Sequence, residues 1–255
     1  MPPSFVYVLG KIEPRFPRLS VEKEFAQAIG RAETAGLTDR QALERVLREN
    51  RYLIRQLCWV MTVGGVETYI VLVRDPTDLH LLVETLRLGP APGDLDLVVG
   101  MRGPMAPPEM CNGLTVPLLV ADQIYAFGRD QLLASIPRAE GVSAERFAGS
   151  AGEAFDLIMQ WTDNVGATDE HRALNYLAVR YPAIYSLVYE AHERNLSFAA
   201  VDVRPSTLSG PRKIVDVIFS LVNRATDVIE KHAVRVDVTE EFPFLVKKMS
   251  PHYDR

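Results

Sequence analysis

Two adjacent glycines, Gly64 and Gly65, stand between two apolar runs, and no other feature limits the fold of this chain as sharply. Leu53 to Val63 and Val66 to Val73 are rich in β-branched and aromatic residues, and a two-residue connection between such runs favours a turn with positive φ at one or both central positions. Glycine reaches that region without steric cost, so the stretch is expected to be a β-hairpin. The second run, VETYIVLV, is apolar on both faces towards its end, which places it inside a sheet.

The segments before the hairpin alternate in type. Phe5 to Phe16 is expected to be a strand near a sheet edge, because Pro14 and Pro17 cannot donate to a central ladder. Ser20 opens a helix to about Glu33 with Phe25, Ala28 and Ile29 on one face, and Thr38 to Gln41 forms a capping box before a helix carrying Leu43, Val46 and Leu47. After the hairpin, Asp75-Pro76 starts a helix to about Arg87, and Asp94 to Met101 reads as a strand. A Pro- and Gly-rich loop follows with Cys111 at an Asn-Gly turn, and then LTVPLLVADQIYAF, a strand or a mixed strand and helix.

The second half begins with the clearest helical pattern, Ala144 to Trp161, with Phe147, Ala151, Ala154, Phe155, Ile158 and Met159 on one face. Thr168 to Tyr181 is a second helix, and Pro182 kinks it or starts the next, which runs to about Arg194. Phe198 to Val203, Lys213 to Val222 and His232 to Val238 then read as three strands of an antiparallel meander, with Val215, Val217, Phe219 and Leu221 inward on the second and Val234, Val236 and Val238 on the third. The expected class is α+β, with antiparallel sheets from both ends of the chain and a central group of helices. The two parts are residues 1–136, an N-terminal α/β half, and residues 144–255, helices plus meander, forming one compact unit with a seam at Pro137 to Ser143.

A length of 255 residues, 47% hydrophobic and 24% charged, suits a globular chain with a substantial core. Its formal net charge of -5 argues against a general nucleic-acid-binding role, and no segment approaches the length of a membrane span. The N-terminus has no signal pattern, and two cysteines without CxxC spacing predict no disulfide framework, which together point to the cytoplasm.

Polar chemistry concentrates in Thr162 to Tyr185, TDNVGATDEHRALNYLAVRYPAIY, where Asp163, Asn164, Asp169, Glu170, His171, Arg172, Asn175 and Tyr181 surround a turn between two helices. His171 and Asn175 lie four apart on one helix face and can point into a cleft, although Asp169 and Glu170 are also what a helix dipole favours in a first turn. Arg212, Lys213 and Arg224, with Arg204 and Lys231, form a basic set along the meander that would attract an acidic peptide, or simply face solvent. Cys58, Cys111 and His171, with Asp163 or Asp169, are the candidate zinc ligands, and Cys111 with His171 is the candidate nucleophile and base. Nucleotide-binding signatures are absent from the sequence.

The runs RYLIRQLCWVMTVGGVETYIVLVRDP, MRGPMAPPEMCNGLTVPLLVADQIYAF, TDNVGATDEHRALNYLAVRYPAIY and RKIVDVIFSLVNRATDVIEKHAVRVDVTEEFPFLV resemble, in the same order, the C-terminal domain of unknown function of the cyanobactin maturation proteases PatA and PatG. The resemblance implies a part in making ribosomally synthesised, post-translationally modified peptides, as an accessory to enzymes acting on a precursor. It transfers no catalytic residue, and the 255 residues carry no Ser, His and Asp set of a subtilisin-like protease, with Met1 beginning the domain itself. The expected function is therefore a non-catalytic peptide-binding or scaffold protein. Its expected partners are the precursor peptide, the pathway's other enzymes and, in a homodimer, a second copy. The alternative is a small metal- or cysteine-dependent tailoring enzyme.

Overall fold

The computed structural model describes residues 4–31, 36–87, 91, 93–136, 144–207 and 210–253. They divide into two compact units, residues 1–129 and 130–255, and the seam expected at Pro137 to Ser143 lies outside the described residues.

The first unit runs β1 (Phe5–Arg15), α1 (Leu19–Arg31), α2 (Asp39–Glu49), a 3-10 turn (Arg51–Gln56), β2 (Cys58–Val63), β3 (Val66–Val73), a second 3-10 turn (Pro76–Asp78), α3 (Leu79–Glu84), β4 (Leu95–Met105), a third 3-10 turn (Pro108–Met110) and β5 (Pro117–Phe127). Its strands close into a barrel in the order β1-β2-β3-β5-β4, with β3 parallel to β5 and every other pair antiparallel. This five-stranded Greek-key connectivity is that of an OB-fold barrel. Gly64 and Gly65 take φ of 55° and 79° in the β2–β3 turn, as the hairpin requires.

β1 is not an edge strand. Residues Phe5 to Gly10 pair with β4 and residues Lys11 to Arg15 pair with β2, so the strand changes partner midway to close the barrel. Pro14 is accommodated because it lies in the half paired on one side only. Gly10 sits at the switch, where a Cβ would stand 2.1 Å from the Thr62 carbonyl oxygen, so only glycine lets the strands approach. Just past the switch, the Ile12 N–H donates to the buried Asp96 carboxylate at 2.8 Å, and Arg87 donates to the same carboxylate at 2.8 Å. Burial pushes the Asp96 pKa up to about 6 despite these donors.

The run expected as one strand from Leu53 begins instead as a 3-10 turn, Arg51–Gln56, with Leu53 and Ile54 buried and Arg51, Tyr52 and Arg55 exposed, and the strand starts at Cys58. The helix expected to Arg87 is split between the 3-10 turn at Pro76 and α3. The capping box at Thr38 forms as read, with Thr38 and Gln41 side chains each accepting from the other's backbone N–H.

The second unit contains α4 (Arg129–Ala134, at the boundary), α5 (Ala144–Trp161), α6 (Asp169–Arg180), α7 (Ala183–Glu193) and an antiparallel sheet in the order β6 (Leu196–Pro205), β7 (Ile214–Asn223), β8 (Ile229–Asp237), β9 (Phe244–Pro251). Val215, Val217, Phe219 and Leu221 with Val234 and Val236 form its buried face, and Trp161 of α5 stacks on Phe198 and Phe219 at ring distances of 4.6 and 5.7 Å. Pro182 starts α7, and the Tyr185 hydroxyl donates to the Ala178 carbonyl at 2.7 Å to hold the corner. The meander has a fourth strand beyond the three expected. β9, FLVKKMSP, pairs with β8 through register shifts, and its two lysines and terminal proline conceal the period-two signal.

Candidate functional site

The polar helix mouth is built from backbone outward. Thr168 caps α6, its hydroxyl accepting from the His171 N–H at 3.2 Å. Asn164 turns its side chain back into the Val165-Gly166 loop. Its amide donates to the Trp161 carbonyl at 2.8 Å and its oxygen accepts from the Gly166 N–H at 2.9 Å. It also exchanges two hydrogen bonds with the Asn175 amide, at 2.8 and 3.1 Å. Asn175 is wholly buried, so this pair closes the loop onto α6 and presents nothing to a ligand.

Arg172 is the organising side chain here, and its role was not visible in the sequence. Only 3% exposed, it donates to the Val238 carbonyl at 2.7 Å, to the Glu240 carbonyl and to the Glu241 carbonyl at 3.2 Å, tying α6 to the segment between β8 and β9. Burial lowers its pKa, with the Asp169 charge opposing, at 3.7 Å from the guanidinium. Asp169 also meets Lys213 at 3.4 Å. His171 is half-buried. Burial holds its imidazole below the ordinary pKa against the pull of Glu170, which keeps the ring neutral at neutral pH, and Nδ1 has no hydrogen-bond partner. Asp163 is exposed.

The sequence matches the family described as PatG Domain over residues 5–195 and the one described as PatG C-terminal over residues 141–252. The chain belongs to the PatG domain family. Among solved structures it resembles the one described as "PatG Domain of Unknown Function", at 16% identity and a TM-score of 0.78, with 98% of each chain covered. At that identity the likeness shows a shared fold. Nothing among the curated proteins matches the chain.

In this PatG domain the two cysteines are not available for the chemistry expected of them. Cys58 and Cys111 are joined in a disulfide with Cα atoms 5.8 Å apart, against the expectation of no disulfide. Cys111, expected in an exposed loop, is fully buried. Bridged sulfur is neither a thiolate ligand nor a nucleophile. His171, the third expected ligand, belongs to the second unit, and among the described residues no three His, Cys, Asp or Glu side chains gather as a metal site.

The bridge serves a packing role. Cys58, Val60 and Ile70, on one face of the β2–β3 hairpin, form a buried cluster with Ala106 and Cys111 of the β4–β5 connection, and Leu114, Val116 and Leu118 pack against it. OB barrels commonly use their β2–β3 face for ligands. Here the chain itself occupies it.

The basic set of the meander divides. Arg212 pairs with the buried Asp237 at 3.4 Å and Lys213 with Asp169, so both charges are largely answered within the unit. Arg224 stands with Glu153 at a cavity of about 170 Å³ whose apolar wall is Leu157, Val188, Tyr189 and Phe198. No described helix is long and apolar enough to cross a membrane.

Proposed function

We propose that this protein is a non-catalytic peptide-recognition module in the maturation of a ribosomally synthesised, modified peptide of the cyanobactin type. PatG family membership supports the pathway setting. The observation that carries the binding mode is the β9 edge of the second unit's sheet, which, of the two edge strands β6 and β9, is the one that carries adjacent lysines. The barrel closes on itself through β1, whereas β9 has β8 as its single strand neighbour among the described residues, with its Met249 N–H given to the Tyr181 hydroxyl at 2.9 Å and the stretch before it open. Its first part exposes Phe244 (48%) and Val246 (42%), next to the half-exposed Phe242. An extended peptide adds to such an edge through backbone hydrogen bonds, with side chains supplying selectivity. Lys247 and Lys248 follow directly, and lysines on an edge discourage indiscriminate strand pairing while favouring an acidic partner. The same edge would join two copies in a homodimer, and the pathway's other enzymes would be secondary partners.

The test is a fluorescence-anisotropy titration with the precursor peptide, its leader and core halves run separately, alongside sedimentation to fix the oligomeric state. Saturable binding of one half, with unchanged peptide mass and at least about tenfold weakening in the Phe244→Ser/Val246→Ser double variant, supports the reading. No binding at about 50 µM protein, or a change in peptide mass, overturns it.

A further inference from the structure

The first unit carries a cavity that neither the family nor the proposed edge site accounts for. It measures about 470 Å³ and is walled by Arg51, Tyr52, Ile54 and Arg55 on one side and by Pro76, Thr77, Leu79 and His80 on the other. One wall is the 3-10 turn before β2. Leu53 and Ile54 are buried at its base, which forces Arg51, Tyr52 and Arg55 to the surface, and a three-residue repeat sets Tyr52 and Arg55 over one another. The other wall follows β3. There the Asp75 carboxylate accepts from the Thr77 N–H and hydroxyl, both at 2.8 Å, and Pro76 has a fixed φ, so this wall is preorganised.

The charged side chains that line the cavity are cationic, and the Asp75 carboxylate behind one wall is engaged by the Thr77 N–H and hydroxyl. Among the described residues neither Arg51 nor Arg55 has a carboxylate partner within salt-bridge distance, in contrast to Arg212 and Lys213. His80 Nδ1 lies 2.9 Å from the Thr77 carbonyl oxygen, an arrangement in which Nδ1 carries the proton and Nε2 is left as an acceptor for an N–H of the ligand's backbone, not for its carboxylate. Two guanidinium groups thus stand over a lining of Ile54, Leu79, Pro76 and the Tyr52 ring. That combination suits a carboxylate attached to apolar atoms. A polyanion would need a long basic track, and a chain of net charge -5 opposes one.

We propose that this cavity binds a carboxylate-bearing segment of a peptide chain, Arg51 and Arg55 gripping the carboxylate and Tyr52, Ile54 and Leu79 taking the adjoining side chain. It is a second site, independent of the β9 edge, and it shares with the proposed function only the premise that the ligand is a peptide.

The test uses the full chain and three fluorescein-labelled octapeptides: alternating leucine and glutamate with an amidated end, its glutamine counterpart, and that counterpart with a free terminal carboxylate. A thymidine octanucleotide is the fourth probe. Either acid-bearing peptide should bind at least about tenfold tighter than the amidated glutamine peptide, and which one does so separates a side-chain carboxylate from a chain terminus. Arg51→Gln and Arg55→Gln, both at exposed positions, should each weaken that binding about fivefold and the pair more than tenfold, with circular dichroism unchanged. Equal binding of the amidated glutamine peptide, indifference to both arginine variants, or tighter binding of the oligonucleotide overturns the site. Precursor binding with no effect of the arginine variants overturns this site alone. Octapeptide binding here without precursor binding leaves the site standing and overturns the pathway reading. Failure of all peptides overturns both.

Discussion

Replacing Asp96 by asparagine should change how stability depends on pH, with little change in the fold. The Asp96 side chain is about 1% exposed, and burial outweighs the Ile12 N–H and Arg87 in raising its pKa to about 6. The unfolded chain titrates near the ordinary 3.8. Between these values the folded protein holds a proton that the unfolded chain has released, so stability falls as pH rises from about 4 to about 6 and then levels off. A gap of about two pH units corresponds to about 3 kcal/mol. Asparagine keeps an oxygen for the Ile12 N–H and has no proton to lose. The stability of Asp96→Asn relative to the parent should therefore rise by about 3 kcal/mol between about pH 4 and pH 7. Urea denaturation followed by Trp59 fluorescence, in a Trp161→Phe background, reads the first unit, because Trp59 is buried in the barrel. Taking the difference between the two proteins cancels every other titrating group. A flat difference, or one that falls with pH, refutes the argument that desolvation dominates at Asp96.

Three further perturbations follow from the packing. Arg172→Met strips three carbonyls of their donor and should destabilise the second unit by about 3 kcal/mol, read from urea denaturation followed by Trp161 fluorescence in a Trp59→Phe background. Gly10→Ala drives a Cβ into the Thr62 carbonyl and should cost about 3 kcal/mol or more, seen as a lowered denaturation midpoint or loss of soluble protein. Opening the Cys58–Cys111 bridge, whose residues are 53 apart, removes a chain-entropy contribution of up to about 4 kcal/mol. A reductant should therefore lower the urea midpoint of the parent and leave Cys58→Ser/Cys111→Ser unchanged, and thiol titration before and after reduction counts the bridge directly.

Local readings that depend on neighbouring residues hold in the structure. The Gly64-Gly65 turn, the Thr38 capping box and the interruption of the helix at Pro182 each rest on backbone chemistry spanning four residues or fewer. The inward valines of β7 and β8 were legible for the same reason, since period two is a property of the strand alone. The candidate site was less legible. Asp169, His171 and Asn175 were read as a polar group on one helix that could face a cleft. Whether such a group meets a ligand depends on what lies opposite, and here Asn164 and the carbonyls of Val238, Glu240 and Glu241 lie opposite. The cavity at Arg51 and Arg55 escaped because its two walls are separated in sequence by the β2–β3 hairpin.

The sequence by itself determined where most helices and strands lie, the α+β class, and through its long ordered runs the PatG resemblance, because propensity, capping and periodicity are encoded within short windows. Only the tertiary structure decided that β1 changes partners to close a barrel, that β3 runs parallel to β5, and that Cys58 meets Cys111 across 53 positions. It also decided which cations are answered by carboxylates and which, among the described residues, have none within reach and line a cavity. These are pairings between segments far apart in the chain, and each is set by the packing of the whole unit, which no short window of sequence contains.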